Sequence, residues 1–595
     1  MGNLCTSTKD KELFTSTKDE ELFESQSYGI HLPNTIVKQI LEYLINNCSQ
    51  YEYIVNNNRL EGINSFLNKF TRICKKWNEK IIPTLEILNT LACEYQQNSH
   101  KLLLLNKYNL NYQMHATVHH VDNKVYQKDK ITSLTLLNST GELNTNKTAE
   151  EFPNIHTITV NCQYLLGENY NSNFLKLDIE TWYYVRKLVI RFELQAKKLS
   201  KVNLEEKEFM QIYNYCSELQ VNKGTLMVKD LLPPEKYQPS LLKKLKMSKL
   251  TVEPTTLVLL LKNSPHLTHL VLYFVNGVNK EPTFQETVLN TITTLDLLNL
   301  QSISIVHLVQ SVQFQTLMNL YKKTKASEVD LRFMSLIINE NDDISFEINN
   351  KNIRKLTMNS YLMGLDGKPL NLLKDNWGDK SNLTSITINT QMSPKENMPF
   401  EQLSLFKKVT ESVYFEHDSK YLDNILQLNH SSLQTICIDN YFRIPRILPI
   451  IDSIIHHHYL TRMEIFNIDF NNFQKLLSID HPTLDSVIVT FLYISNIECK
   501  QLILDIKNNK SLRKLMIKYF HNYMSMDSYD QFVAYAEIYE NGHQLTHLWL
   551  PTAKSIEPNF ESILKKNPQI INLGIDERNH QTPLNKYLIQ YCEYF

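Results

Sequence analysis

Residues 267–272 read Leu-Thr-His-Leu-Val-Leu, and their apolar positions Leu267, Leu270 and Leu272 form a spaced triplet, LxxLxL. The same spacing returns about every 25–30 residues from about residue 130 almost to the C-terminus. Return at a nearly fixed interval is the sequence signature of stacked supersecondary units. The triplet therefore predicts a repeat protein.

The clear copies of the triplet begin at Leu267, Ile292, Ile353, Leu383, Leu433, Leu460, Leu484, Leu512, Leu545 and Ile570. The last six are separated by 27, 24, 28, 33 and 25 residues. Weaker copies begin at Ile131, Ile155, Val185, Leu242 and Ala326. The array is therefore expected to span residues 131–595.

Each triplet predicts a short strand followed by a helix. The last two apolar residues are two apart, so they point to one face of a strand, while the first turns inward from the preceding loop. Stretches with helical spacing, such as residues 254–266, lie between the triplets. The pattern resembles a leucine-rich repeat, although the family's asparagine near the ninth motif position drifts here. The resemblance implies an α/β solenoid with a curved parallel sheet and helices outside.

Composition excludes several classes of protein. The 62 basic and 63 acidic residues give a net charge of -1, so nothing global favours nucleic acid as a partner. The nine cysteines include no CxxC pair, which suits reduced thiols in the cytoplasm rather than a disulfide framework. The N-terminus lacks the apolar region of a signal peptide, and no apolar run approaches the roughly 20 residues of a membrane span.

Residues 28–90 contain two apolar helical segments about 30 residues apart. The first, residues 31–44, begins with Leu-Pro, and the second, residues 66–83, contains the run Ile-Cys-Lys-Lys-Trp. Together they resemble an F-box, although residues 46–62 are longer and more polar than the family allows. The resemblance rests on Leu32, Pro33, Ile40, Leu41, Leu44, Ile73, Cys74 and Trp77.

The F-box resemblance implies docking of these residues on the Skp-type adaptor of a cullin-based ubiquitin ligase. An ordinary pair of helices covering the first repeat is the alternative, since a solenoid needs its end covered. Residues 91–130 are then expected to be a helical linker or cap between the module and the repeats.

The first 27 residues predict a flexible tether. Gly2 and Thr6 fit the N-myristoylation pattern, and Cys5 lies where a second acyl chain is often added. One myristoyl chain binds membranes only marginally, so the acylation of Cys5 would decide whether the chain stays at a membrane surface. A nine-residue polar duplication follows in residues 6–23, as expected of an unfolded spacer.

Nothing in the sequence predicts catalysis, a cofactor or a metal site. There is no HExxH, no P-loop and no Ser-His-Asp grouping. The run His456, His457, His458 is expected at a solvated helix end, because adjacent residues of a helix point about 100° apart and do not converge on one metal.

These observations predict a non-enzymatic substrate receptor of a cullin-RING ligase that holds an unknown target protein on the repeats. The alternative is a protein-binding scaffold of leucine-rich repeats, tethered to a membrane through Gly2, with no ligase link. The target is expected on the C-terminal half of the inner face, where apolar residues replace polar ones between the core positions. This predicted patch comprises Phe466, Ile488, Phe491, Met516, Tyr519 and Trp549.

Overall fold

A computed structural model describes residues 33–48, 63, 67, 75, 77–88, 90–93, 102–117, 127–137, 151–161, 185–191, 201–204, 206–228, 231–233, 236–278, 284–295, 299–307, 309–339, 342, 350–359, 364–365, 368–369, 382–389, 412–416, 426, 431, 433–439, 453–493, 496–521, 545–550 and 572–575. The fold is α/β, and its main feature is one large parallel sheet.

Within the described residues, 19 strands form one parallel ladder, each paired with the next along the chain. They are β1 (Leu91–Cys93), β2 (Met114–Thr117), β3 (Ile131–Leu137), β4 (Thr157–Asn161), β5 (Lys187–Arg191), β7 (Glu218–Val228), β8 (Lys244–Val252), β9 (His269–Tyr273), β11 (Ser302–His307), β13 (Glu328–Phe333), β15 (Lys355–Asn359), β18 (Ser385–Asn389), β19 (Ser412–Glu416), β20 (Thr435–Asp439), β21 (Arg462–Asp469), β22 (Ser486–Tyr493), β23 (Lys514–His521), β24 (His547–Leu550) and β25 (Asn572–Ile575). This ladder confirms the predicted solenoid of leucine-rich-repeat type.

Six short strands complete the described sheets. Two of them, β6 (Lys201–Leu204) and β10 (Asn276–Gly277), join the C-terminal halves of β7 and β8. The others pair with each other outside the ladder: β12 (Val312–Gln313) with β14 (Leu336–Ile337), and β16 (Gly364–Leu365) with β17 (Lys368–Pro369).

The register of the ladder aligns the apolar positions of successive triplets. Leu270 of β9 pairs with Leu245 of β8 on one side and with Ile303 of β11 on the other. All three side chains are buried. Side chains of a strand alternate between its faces, so the register stacks one apolar residue per repeat into a continuous core. Residues between these positions form the other face of the sheet, called here the open face.

Helices cover the core side of the sheet. Their bounds are α1 (Asn34–Cys48), α2 (Leu102–Lys107), α3 (Glu206–Tyr215), α4 (Pro254–Lys262), α5 (Phe284–Thr294), α6 (Phe314–Lys323), α7 (Phe470–Ser478) and α8 (Asn496–Asn508), with a π-helix at Trp77–Ile81 and 3-10 turns at Ile82–Thr84 and Lys128–Lys130. Neighbouring helices touch, as α4 touches α5, α5 touches α6, and α7 touches α8. Proline begins α4, where its missing N–H costs nothing.

Polar side chains in the turns between helix and strand join adjacent repeats. Asn350, three residues before the triplet residue Ile353, donates to the backbone oxygens of Tyr321 (2.9 Å) and Thr324 (2.6 Å). Asn509, three residues before Leu512, accepts from the N–H of Leu512 at 2.8 Å and donates to the oxygen of Leu477 at 2.7 Å. Both are buried. These bonds satisfy backbone groups that would otherwise be buried without partners.

The structure corrects two assignments made from the sequence. Strands β1 and β2 lie within residues 91–130, where a helical linker or cap was expected, and β2 pairs directly with β3, so the sheet begins before residue 131. The strand predicted from the triplet at Ile292 is also wrong, because Ile292 lies in α5. The strand of that repeat follows Leu300 and buries Ile303 and Ile305. Both helix and strand are apolar at the required spacing there, so the triplet alone did not distinguish them.

Candidate partner-binding surfaces

Helix α1 carries apolar side chains on two faces. Val37, Leu41 and Ile45, at i, i+4 and i+8, are buried and belong to the main core. Ile36 and Ile40 are 41% and 44% exposed on the opposite side, and Tyr43 completes that stripe. An exposed stripe of large apolar side chains on a rigid helix is typical of a surface that binds another protein.

Hydrogen bonds fix α1 against the start of the repeats. The carbonyl oxygen of Pro33 accepts from the N–H groups of Ile36 and Val37 and so begins the helix. Near its end, the amide nitrogen of Asn46 donates to the backbone oxygen of Glu86, and its side-chain oxygen accepts from the N–H of Leu88, both at 2.8 Å. Leu88 itself is 71% exposed. Helix α1 is therefore attached to the repeat array by side-chain bonds as well as by packing.

The predicted adaptor-binding residues fall into three groups. Ile40 and Pro33 are exposed, whereas Leu41 is fully buried and therefore belongs to the core of the module rather than to its surface. Leu32, Ile73 and Cys74 lie outside the described residues, as does the side chain of Leu44. The predicted adaptor-binding set did not include Ile36 or Tyr43, although their spacing with Ile40 (i, i+4, i+7) indicates one face of a helix.

Trp77 also belongs more to the interior than to the surface. Its side chain is partly buried against the main core. Ile81, Ile82 and Leu85, which follow it, are buried in the same core. A substitution of Trp77 would therefore disturb packing, so the exposed stripe of α1 provides a cleaner test of adaptor binding than Trp77 does.

The open face carries a row of charges between β5 and β8. The carboxylate of Glu218 lies 3.3 Å from the Lys187 ammonium and 2.9 Å from that of Lys244, one on each neighbouring strand. Partial burial raises the pKa of the Glu218 carboxyl, but the two lysines outweigh burial and hold that pKa below its usual value. The carboxylate is therefore ionised at neutral pH, and its charge is balanced by the two neighbouring lysines.

A second charged group lies two to four strands further along. Asp330 accepts from the hydroxyl of Ser304 at 2.9 Å and from the guanidinium of Arg332 at 2.8 Å. Glu328 pairs with Lys355 at 3.1 Å. Because the carboxylates of Glu328 and Asp330 are both engaged, the open face in these repeats presents hydrogen-bonded polar groups rather than an apolar surface.

The predicted target patch is not an exposed apolar surface at its centre. Ile488 and Met516 pair in register and are only 5% and 2% exposed, contrary to the expectation that they face solvent. In the same register Ile488 pairs with Glu464 and Met516 with Trp549, so both residues lie on strands that are paired on either side. Substituting Met516 would therefore change stability, which the sequence did not predict.

The rest of the predicted patch is only partly described. Phe466 is half-buried. Phe491 and Tyr519 pair in the sheet, but their side chains and that of Trp549 lie outside the described residues.

Two described cysteines lie within the repeats, one buried and one half-buried. Burial raises the pKa of the Cys216 thiol to about 12, and burial together with Glu464 does the same for Cys437. Such thiols are not nucleophiles at neutral pH. His457, expected in a solvated run, is fully buried, and His456 and His458 beside it are exposed. In the described part of the chain, no three His, Cys, Asp or Glu residues are placed to hold a metal ion.

The predicted lipidation sites Gly2 and Cys5 lie outside the described residues, as does the whole tether of residues 1–27. Among the helices that the structure describes, none combines the length and apolar character that crossing a membrane requires.

Comparisons with known proteins add little to the geometry. No family model matches the chain, and no curated protein matches its sequence. Among solved structures, a chain from the crystal structure of the Rad7 and Elc1 complex in yeast is similar at 12% identity and a TM-score of 0.27, covering 83% of this chain and 92% of that one. At so low a TM-score the likeness carries no argument, and function has to be inferred from the residues.

Proposed function

We propose that this protein is a non-enzymatic substrate receptor, which docks on a Skp-type adaptor through α1 and holds a target protein on its repeat array. The observation that supports adaptor binding most directly is the exposed stripe of Ile36, Ile40 and Tyr43. It lies on a helix whose other apolar face is already buried. The stripe belongs to the segment that resembles an F-box, the module with which family members bind that adaptor.

The repeat array supports the second half of the proposal. A parallel ladder presents one row of side chains per repeat, and such extended surfaces suit protein partners better than small substrates. The hydrogen-bonded polar groups around Glu218 and Asp330 would then meet the target through polar rather than apolar contacts. Ubiquitin transfer itself would be carried out by other subunits of the ligase.

The double substitution Ile36→Asp, Ile40→Asp is expected to weaken adaptor binding at least about thirtyfold, because burying a carboxylate against an apolar partner removes a hot spot of about 2 kcal/mol or more. The measurement is titration of the full-length protein with purified Skp-type adaptor. Both residues are exposed in the free chain, so thermal unfolding should stay nearly unchanged.

The matched control is Ile337→Asp, Ile338→Asp, which places the same charges at isoleucines that are 44% and 37% exposed in a distant repeat. This control should bind the adaptor normally. Equal loss in both variants would indicate non-specific adhesion, and normal adaptor binding by the α1 variant would remove the F-box assignment.

As a second candidate we propose attachment to a membrane through Gly2 and Cys5, because Gly2 fits the N-myristoylation pattern and Cys5 lies where a second acyl chain is often added. Gly2→Ala should release the protein from membranes in cell fractionation, since myristoylation requires the amine of that glycine, and Cys5→Ser should weaken attachment if two chains are added. Finding the unsubstituted protein wholly in the soluble fraction would end this proposal, without affecting adaptor binding.

A further inference from the structure

A cavity of about 480 Å³ opens at the edge of the sheet where β8, β9, β11 and β13 begin. It is open to solvent, and the side chains of Lys243, His266 and Lys325 on its rim are exposed. The residues lining it are Lys243, His266, Thr268, Asn299, Leu300, Gln301, Lys325 and Ser327. Of these, only Leu300 is apolar, so the cavity suits a polar ligand.

The wall of the cavity is rigid, because successive repeats are joined there by backbone hydrogen bonds. The N–H of Thr268 donates to the oxygen of Lys243 at 2.7 Å, that of Gln301 to Thr268 at 2.8 Å, and that of Ser327 to Gln301 at 2.9 Å. Each of these residues immediately precedes a strand of the ladder. The backbone of four repeats is thus held at fixed spacing around one opening.

Among the described residues, the lining is cationic and contains no carboxylate. Lys243 and Lys325 contribute two ammonium groups, and His266 adds an imidazole. Neither lysine forms an ion pair with any residue in the described ranges. The carboxylates on nearby strands are already bound elsewhere, since Glu218 pairs with Lys187 and Lys244, and Glu328 with Lys355. The positive charge of the cavity is therefore left for a ligand.

We propose that this cavity binds a phosphate monoester. Two ammonium groups match the two negative charges of such a group, and His266 and the Gln301 amide can supply further hydrogen bonds to its oxygens. The hydroxyls of Thr268 and Ser327 donate to the backbone oxygens of Lys243 and Gln301, so they help to shape the wall. The phosphate could be carried by a phosphorylated protein segment or by a free metabolite, which share this chemistry. The proposal does not depend on adaptor binding.

The test is calorimetric titration of the full-length protein with phosphoserine, serine, inorganic phosphate, glucose 6-phosphate and the peptide Gly-phosphoserine-Gly. Saturable binding of the phosphorylated probes, with none of serine, is expected. Lys243→Gln combined with Lys325→Gln should weaken this binding at least about tenfold, equivalent to about 1.4 kcal/mol. Tighter binding of the peptide than of glucose 6-phosphate would indicate a protein-borne ligand, and the reverse a metabolite.

The control variant Lys262→Gln, Lys323→Gln removes the same charge from exposed positions on α4 and α6 that do not line the cavity. It should bind phosphoserine as the unsubstituted protein does. An equal loss in this control would show general attraction to a basic surface and overturn the site. The site would also be overturned if none of the phosphorylated probes bound saturably below about 10 mM.

Discussion

Replacing His481 by alanine is expected to lower the free energy of unfolding by about 3 kcal/mol, whereas asparagine should cost about 1 kcal/mol. The Nδ1 atom of His481 accepts from the N–H of Leu484 at 3.1 Å, and its Nε2 atom lies 2.9 Å from the oxygen of His457. The side chain is buried, so alanine leaves these backbone groups without partners. Asparagine can replace the acceptor, as Asn509 does in the next repeat.

Replacing His481 by asparagine should also change how the free energy of unfolding depends on pH. Burial lowers the pKa of His481 from 6.5, as does the nearby His458, and this outweighs the hydrogen bonds to His457 and Ile454 that raise it. The folded state therefore takes up the proton less readily than the unfolded state does. Stability from this group is full above about pH 6.5 and is lost as the pH falls toward the lowered pKa.

Denaturant unfolding at about pH 7.5 and about pH 5.5 measures both effects. Between these values the unsubstituted protein should lose more stability than His481→Asn does, because only the unsubstituted protein has a ring here that the unfolded state protonates more readily than the folded state does. Equal losses would show that His481 does not contribute to acid sensitivity. An alanine variant as stable as the asparagine variant would show that its hydrogen bonds contribute little.

Gly277→Ala is expected to destabilise the protein by about 2 kcal/mol through overpacking. A β-carbon at Gly277 would lie 2.9 Å from Cδ2 and 3.1 Å from Cγ of Phe284. Phe284 begins α5 and is 1% exposed, so its ring cannot move aside without disturbing the core. The effect is measured by equilibrium unfolding.

A double-substitution cycle separates this clash from any other effect of the new methyl group. In a Phe284→Ala background the two closest atoms are gone, so Gly277→Ala should cost at least about 1 kcal/mol less there than in the unsubstituted protein. Equal costs in both backgrounds would contradict the packing explanation.

The spaced triplet predicts the strands well because its physical cause is local. In every repeat, the apolar residues at alternate positions of the strand must face the core, as Leu270 does in β9. The early strand β2 escaped notice because its core positions are Met114 and the small Ala116, which a search for large aliphatic residues passes over. Turn residues such as Asn350 were also missed, since their partners lie in a neighbouring repeat.

The candidate surfaces were less predictable, because exposure depends on neighbours that spacing does not reveal. Leu41 and Ile40 are adjacent in sequence, yet one is 1% and the other 44% exposed. Met516 occupies an outward position of its strand and is nevertheless buried. The cationic cavity could not be predicted from the sequence, since its residues come from separate repeats. Its positive charge is recognised only when the ion pairs of the nearby carboxylates Glu218 and Glu328 are known.

The attachment of α1 through Asn46 has a consequence for the geometry of a complex. The helix packs into the same core as the first strands, and Asn46 bonds it to Glu86 and Leu88 just before β1, so the proposed adaptor surface is fixed against the array. The distance between a partner on α1 and a ligand at the cavity is then set by the number of intervening strands, in increments of about 4.8 Å. Adding or deleting a single repeat would therefore change the separation between a partner on α1 and a target bound further along the array by one such increment.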